Sequence, residues 1–400
     1  MKQEVLRNNL KQIRTRLGMN QQDLANLAGV TRQTISGVES GQYAPSTTIS
    51  LRLAKALGCQ VEDLFWLEED LPEIAAVPAE NLPVGQNLRV ILARVGGQWV
   101  AHPLIGKDAF RTEMIPADGA LNHLPLMDTV LVKLLDDPKK LYHTVVMAGC
   151  SPALSLWARA AERWHPELRV HLTFANTMTA LQRLCRGEVH IAGMHLYCSQ
   201  TGEHNTPFVH RVLKDKAAVL INLGVWEEGL LVQQGNPKQL KTVADLAQPG
   251  VTIVNREDGS GSRELLERKL QEEKVTFAAV QGFDNIVNGH QEVALAVATG
   301  KADAGVSSAS IATAFGLGFI PLHQSRYDLL ILKKYLEEAP VQQLLGTLSH
   351  RQVISQLQAL GGYNTSLTGE VVATIEAVSK KSPGLNATKH TPHKPILELS

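Results

Sequence analysis

The stretch QQDLANLAGVTRQTISGVESGQYAPS, Gln21–Ser46, sets two short apolar periodicities on either side of a glycine. Asn20 can cap the first helix, which carries Leu24, Leu27 and Ala28 on one face. Gly29 then permits a left-handed turn, Val30 plugs it, and Thr31 can cap a second helix with Ile35 and Val38 inward. Two helices joined by a short glycine-containing turn make a helix-turn-helix. Working outward, Leu6, Leu10, Ile13 and Leu17 follow the spacing of one buried helical stripe from Val5 to Gly18. Downstream of the breaks at Gly41 and Pro45, Ile49, Leu53 and Leu57 mark a fourth helix, and Val61, Leu64 and Phe65 a short closing element. Residues 1–66 therefore read as an all-α head. Its outward positions are Arg32, Gln33, Thr34 and Ser36, side chains that bond base edges or phosphates.

This stretch closely resembles the lambda-repressor-like (Cro and xenobiotic-response-element) helix-turn-helix family over roughly residues 5–66. The resemblance implies that the helix from Thr31 to Ser40 enters the major groove of double-stranded DNA, and that Gln21 contacts a phosphate. One such head grips a half-site weakly, so a homodimer on a roughly palindromic operator is expected.

The 400 residues are 44% apolar, enough for two to four domains. Lysine plus arginine and aspartate plus glutamate both number 39, which argues against coating nucleic acid by net charge alone. The balance is uneven: residues 1–66 hold eight basic side chains against five acidic ones, and the remainder is slightly acidic. Met1 to Asn20 is charged and periodic, unlike a signal peptide, and no apolar run approaches a membrane span, so a cytoplasmic protein without membrane contact is expected. The four cysteines, Cys59, Cys150, Cys185 and Cys198, form no CxxC pair or His/Cys cluster of zinc spacing; reduced thiols and no metal are expected. There is no GxxxxGK[ST], GxGxxG, HExxH or GxSxG, so neither an enzyme nor a resident cofactor is expected.

Residues 67–87, with three prolines and an acidic run, read as a linker. Residues 88–142 read as a small β-rich module with a hairpin about Gly96-Gly97, in which Trp99, His102 and His123 are packing or surface residues. From 143 to 379 strands and helices alternate: TVVMAG, a helix from Pro152 to Trp164, VHLTFA, a helix from Thr177 to Arg186, and VHIAGMH. The chain crosses over near AVLINLGVWEEGLLV, resumes with VTIVN and helices from Ser260 to Glu273 and from Gln291 to Thr299, and returns through YDLLILKK. This predicts an α/β body of two lobes with parallel sheets, helices on both faces and a hinge. Residues 380–400 read as a disordered tail. The whole is a multidomain chain: helical head, small β-rich connector, two-lobed α/β body.

The body resembles the periplasmic-binding-protein-like domain found fused to bacterial helix-turn-helix heads, which is related to the binding proteins of molybdate and tungstate transporters. The matching pieces are AGCSPA (148–153), GEVHIAGMH (187–195), GLLVQQGNPK, NREDGSGSR (255–263), GKADAGVSS (300–308) and GGYNTSLTGE (361–370). The chain departs from that family at Asn364, where an aspartate is frequent, and at Cys150, where a serine is common. His195 and Tyr363 match family positions. The likeness alone implies molybdate or tungstate as the bound effector.

The residues themselves point to a small anion. Gly149-Cys150-Ser151 and Asp258-Gly259-Ser260-Gly261-Ser262 each sit where a strand gives way to a helix, and Thr177 opens a further helix. Helix starts present unpaired N–H groups and partial positive charge; the hydroxyls of Ser151, Thr177, Ser260 and Ser262 add donors. Arg256 or Arg263 can add charge, whereas His290 reads as a capping or surface residue. The head would then bind DNA while the body responds to the anion. Two alternatives stay open: a body that only oligomerises, and a cleft enzyme using Cys150, for which the sequence assigns no partner histidine.

Overall fold

The computed structural model describes residues 5–68, 72–79, 88–109, 114–121, 129–213 and 215–377. The expected tail at 380–400 and His123 lie outside them. The chain divides into two compact units, Met1–Pro72 and Glu73–Ser400.

In the first unit, five helices follow one another: α1 (Leu10–Arg16), α2 (Gln21–Ala28), α3 (Arg32–Glu39), α4 (Thr47–Leu57) and α5 (Val61–Leu64). The punctuation is local chemistry. Asn20 caps α2 through the N–H groups of Gln22 and Asp23, Gly29 adopts φ 65°, and Thr31 Oγ1 caps α3 through Thr34 N–H. Leu10, Leu24, Ala25, Ala28, Ile35, Val38, Leu53 and Leu64 close the core. The first helix begins at Leu10, later than its apolar spacing predicts. Val5–Asn8 is a strand, β1, paired antiparallel with β2 (Phe65–Glu68), because the two ends of the domain meet there and complete each other's hydrogen bonds. Leu17 and Leu27, expected inward, are half or more exposed; Ala25 takes the inward place in α2.

The second unit begins with a closed barrel of five strands: β3 (Glu73–Pro78), β4 (Leu88–Val95), β5 (Gln98–Pro103), β6 (Gly119–Leu121) and β7 (Val130–Leu134). The hairpin about Gly96-Gly97 forms, with Val95 opposite Gln98. The barrel starts inside the expected linker: residues 73–78 are β3, whose Ala76 is buried and whose Pro78 comes last, where the missing N–H interrupts no strand interior. An ion pair, Arg169 to the buried Asp118, fastens this barrel to the lobe beside it.

The body continues through α6 (Pro138–Leu141), β8 (Thr144–Gly149), α7 (Pro152–Trp164), β9 (Arg169–Phe174), α8 (Thr177–Arg186), β10 (Ile191–Met194), β11 (Tyr197–Cys198), β12 (Glu203–His204) and α9 (Thr206–Val212). Then come β13 (Ala218–Val232), β14 (Asn255–Arg256), α10 (Gly261–Glu272), β15 (Ile286–Val287), α11 (His290–Ala298), β16 (Ala304–Ser308), α12 (Ala309–Phe315) and β17 (Gly318–Leu332). α13 (Ala339–Gly346), α14 (Arg351–Ala359), β18 (Tyr363–Asn364) and β19 (Val371–Ile375) finish it. The architecture is two-lobed, as expected, but the sheet is mixed rather than parallel. Its order is β16-β13-β17-β10-β8-β9; only β9, β8 and β10 pair in parallel, while β13 and β17 run antiparallel for fifteen residues each. Those two strands carry the chain from one core to the other. Trp157, Met147 and Leu181 belong to the first core, and Leu230, Ile253, Leu266 and Val306 to the second.

Candidate functional site

Buried β8 delivers Gly149, Cys150 and Ser151 to the start of α7. Ser151 Oγ accepts the Ala153 N–H at 3.2 Å and bonds to the Tyr363 hydroxyl at 3.0 Å. The backbone N–H groups of Cys150 and Ser151 face the hydroxyl of the fully buried Tyr327. The Ser151 hydroxyl is therefore committed to protein partners, whereas the Tyr327 hydroxyl beside it is buried without a hydrogen-bond partner.

His195 follows β10 and is buried, with Nε2 3.4 Å from Cys150 Sγ and Nδ1 3.3 Å from Glu228 Oε2. Glu228, from the middle of β13, also accepts a hydrogen bond from Ser262 Oγ at 2.6 Å. Thr177 Oγ1 accepts the His195 N–H at 3.4 Å. At Gly261 a Cβ would lie 2.6 Å from the His195 carbonyl oxygen, so the bare backbone is what lets α10 begin against that histidine. Burial alone would lower the His195 pKa, but Glu228, and after it Cys150, outweigh burial and raise it to about 10. Burial would likewise raise Glu228, yet His195 first, and then the hydrogen bond from Ser262, hold it at about 2. At neutral pH the two form an imidazolium–carboxylate pair. His290, beside them, is driven well below the ordinary histidine value by burial and then by Arg256, so it stays neutral.

The start of α10 differs from that of α7. Ser260 occupies the N-cap position without a side-chain cap bond, and its buried Oγ has no partner. Arg256 is 1% exposed; its Nε and Nη2 donate to Glu257 at 2.8 Å each, while Nη1 is buried and unpartnered. Trp226 Nε1 is a third such donor, on a ring 5.1 Å from His195 and 5.2 Å from both His290 and Tyr327. An unmet buried donor costs about 1–3 kcal/mol, so several in one neighbourhood mark a place for an acceptor. The lobes meet here: Asn176 Nδ2 donates to the Asp258 carbonyl at 3.0 Å, and Met178 N–H to that of Gly259 at 3.4 Å. A cavity of about 220 Å³ shares His195 and Gly261 with the cluster, and another of about 290 Å³ shares Trp226 and Tyr363.

The sequence-read residues thus divide. Cys150, Ser151, Thr177, His195, Arg256, Gly259, Ser260, Gly261, Ser262 and Tyr363 all lie in or beside this junction. Thr177 and Ser262, however, spend their hydroxyls on His195 and Glu228. Arg263 pairs outward with Glu267 and Asp258, leaving Arg256 as the inward charge. His290 is neither cap nor surface: it is buried, with Nδ1 3.0 Å from Ser307 Oγ. Asn364 is exposed at the second cavity, its Oδ1 accepting the Ser366 N–H. Cys150 has the histidine neighbour that the sequence did not assign. Glu228 was missed, although an acid inside the apolar run AVLINLGVWEEGLLV needs a buried partner.

On the head, Arg32, Gln33 and Ser36 are exposed along α3, with Thr34 half-buried and hydrogen-bonded to Thr31. Gln21 donates to Glu39 at 2.9 Å, and Arg14 donates to the same carboxylate at 2.6 and 3.2 Å. Burial pushes Glu39 up, but these hydrogen bonds outweigh it and leave its pKa lowered. Gln21 here braces α2 against α3.

The two family matches fall one in each unit. A helix-turn-helix model matches residues 10–64 and a PBP superfamily domain model matches residues 158–349. The helix-turn-helix-type transcriptional regulator YgzD of Bacillus subtilis (strain 168) is 43% identical over 65 residues, 16% of this chain and 98% of its own length. Protein YvgK of the same organism is 36% identical over 199 residues, half of this chain, which in turn spans 64% of YvgK. Among solved structures, an ABC-type phosphate transport receptor from Vibrio cholerae is 16% identical with a TM-score of 0.36, covering 55% of this chain and 98% of that one.

Proposed function

The chain belongs to the helix-turn-helix transcriptional regulators and carries a PBP superfamily domain as its body, and we propose that the body senses a small oxyanion held between its lobes. The regulator binds DNA through α3, using Arg32, Gln33, Thr34 and Ser36, with Gln21 and Thr31 supporting that helix. It works as a cytoplasmic homodimer, and the effector alters the head's grip on the operator. No helix among the described residues is long and apolar enough to cross a membrane.

The observation that carries the anion is the pair of unmet buried donors at one strand-to-helix turn, Arg256 Nη1 and Ser260 Oγ. A bound oxyanion would satisfy both, in a place where water competes poorly. Glu257 and Glu228 already neutralise the full charges of Arg256 and His195, so the guest would be held by directed hydrogen bonds rather than by a net positive charge of the site. Molybdate or tungstate is our first candidate.

The experiment is operator binding by the full chain with and without molybdate, tungstate, sulfate and phosphate. One of these should shift operator affinity at least fivefold, within the range of ordinary coupling energies. Arg256→Gln should bind DNA as tightly as the parent and lose the shift. A response unchanged in Arg256→Gln would remove the anion from this site; no response to any oxyanion would leave a body that only oligomerises.

A further inference from the structure

Cys150, His195 and His290 come from three separated parts of the chain, yet one donor atom of each lies within 4.8 Å of the others. The geometry points to a binding site for a zinc-class divalent cation on Cys150 Sγ, His195 Nε2 and His290 Nε2. Each ring has its other nitrogen already engaged: His195 Nδ1 by Glu228 at 3.3 Å, His290 Nδ1 by Ser307 at 3.0 Å. That leaves Nε2 as the coordinating atom of both. His290 is 2% exposed and its Nε2 has no hydrogen-bond partner, an unmet buried atom that nothing in the anion reading requires.

Ligand chemistry narrows the cation. A thiolate with two imidazoles suits zinc and its neighbours in the transition series and does not suit magnesium or calcium, which take oxygen. In tetrahedral coordination at zinc–ligand lengths, donors stand about 3.5 Å apart. The Cys150–His195 separation of 3.4 Å already matches; the widest separation, within 4.8 Å, closes by a side-chain shift of about 1 Å. Glu228 is the carboxylate that typically orients a metal-bound histidine, and Ser262 fixes it in turn at 2.6 Å. Cys150 is the least buried of the three, which gives the cation a way in. Three protein donors leave one coordination position for an outside ligand.

The test titrates Co²⁺, with no oxyanion present, into the reduced, chelator-treated full chain, so its outcome is independent of the anion reading. Near one equivalent, a thiolate-to-cobalt charge-transfer band and four-coordinate visible bands should appear, and Zn²⁺ should abolish both. Cys150→Ser should lose the charge-transfer band while keeping a native circular-dichroism spectrum. Cys59→Ser, in the head, should keep the band. Glu228→Gln should weaken Co²⁺ binding by about 10–100-fold while leaving the spectrum of the loaded form. A parent protein without the charge-transfer band, or a band that survives in Cys150→Ser, overturns the site.

Discussion

The starts of α7 and α10 look alike in sequence, GCSPA and GSGSR, and behave differently in the folded chain. Both place a serine at the N-cap of a helix that follows a strand, one in each lobe. Ser151 is consumed: its hydroxyl caps Ala153 and bonds to Tyr363. Ser260 is idle, buried beside an arginine that also has a free donor. A helix start becomes a binding site when the surrounding structure leaves its donors unmet, and residue type alone does not decide that.

The contrast breaks most visibly at Arg256. Arg256→Gln removes the free guanidinium donor and should cost about 3 kcal/mol of anion binding, as truncating a buried charged partner does. Calorimetry measures it, and an unchanged affinity would place the anion elsewhere.

The next effect concerns the pair between the two starts, in the metal-free protein. His195 is raised from 6.5 to about 10, so its contribution is complete below about pH 6.5 and is lost as pH rises towards 10. Glu228 is lowered from 4.5 to about 2, so its contribution is complete above about pH 4.5 and is lost as pH falls towards 2. Cys150, His290 and Arg256 face the same pair, and the Tyr327 ring stacks on His195. Urea unfolding should therefore show body stability greatest between the two limits, and Glu228→Gln should flatten the profile. A variant with the parent's pH dependence would show that the pair contributes nothing.

Smaller effects separate the two serines directly. Ser151→Ala should cost about 1 kcal/mol of stability through the lost cap. Ser260→Ala should cost under about 0.5 kcal/mol, because no hydrogen bond is lost. Equal losses in thermal unfolding would erase the distinction drawn between them.

Much of the fold was legible. Caps and glycines placed α2 to α4, and the helices Pro152–Trp164 and Thr177–Arg186 lie where the alternation predicts them. What failed was non-local. Val5–Asn8 is a strand because Phe65–Glu68 returns to pair with it, a partner sixty residues away that no local period reveals. Glu73–Pro78 joins a barrel although prolines made it read as a linker. At the site, the glycines and serines near the helix starts were visible, but their division into spent and unspent donors was not, because it depends on Tyr363 and Glu228 arriving from distant strands. The Cys150–His195–His290 group was hidden for the same reason: its spacings of 45 and 95 residues match no metal motif.

The most direct measurement is isothermal titration of molybdate, tungstate, phosphate and sulfate into the full chain, its Ser151→Ala form and its Ser260→Ala form. The account predicts that at least one oxyanion binds the parent, that Ser151→Ala keeps most of that affinity, and that Ser260→Ala loses about tenfold, the worth of one hydrogen bond. Absence of binding by all four anions, or a loss confined to Ser151→Ala, would contradict it.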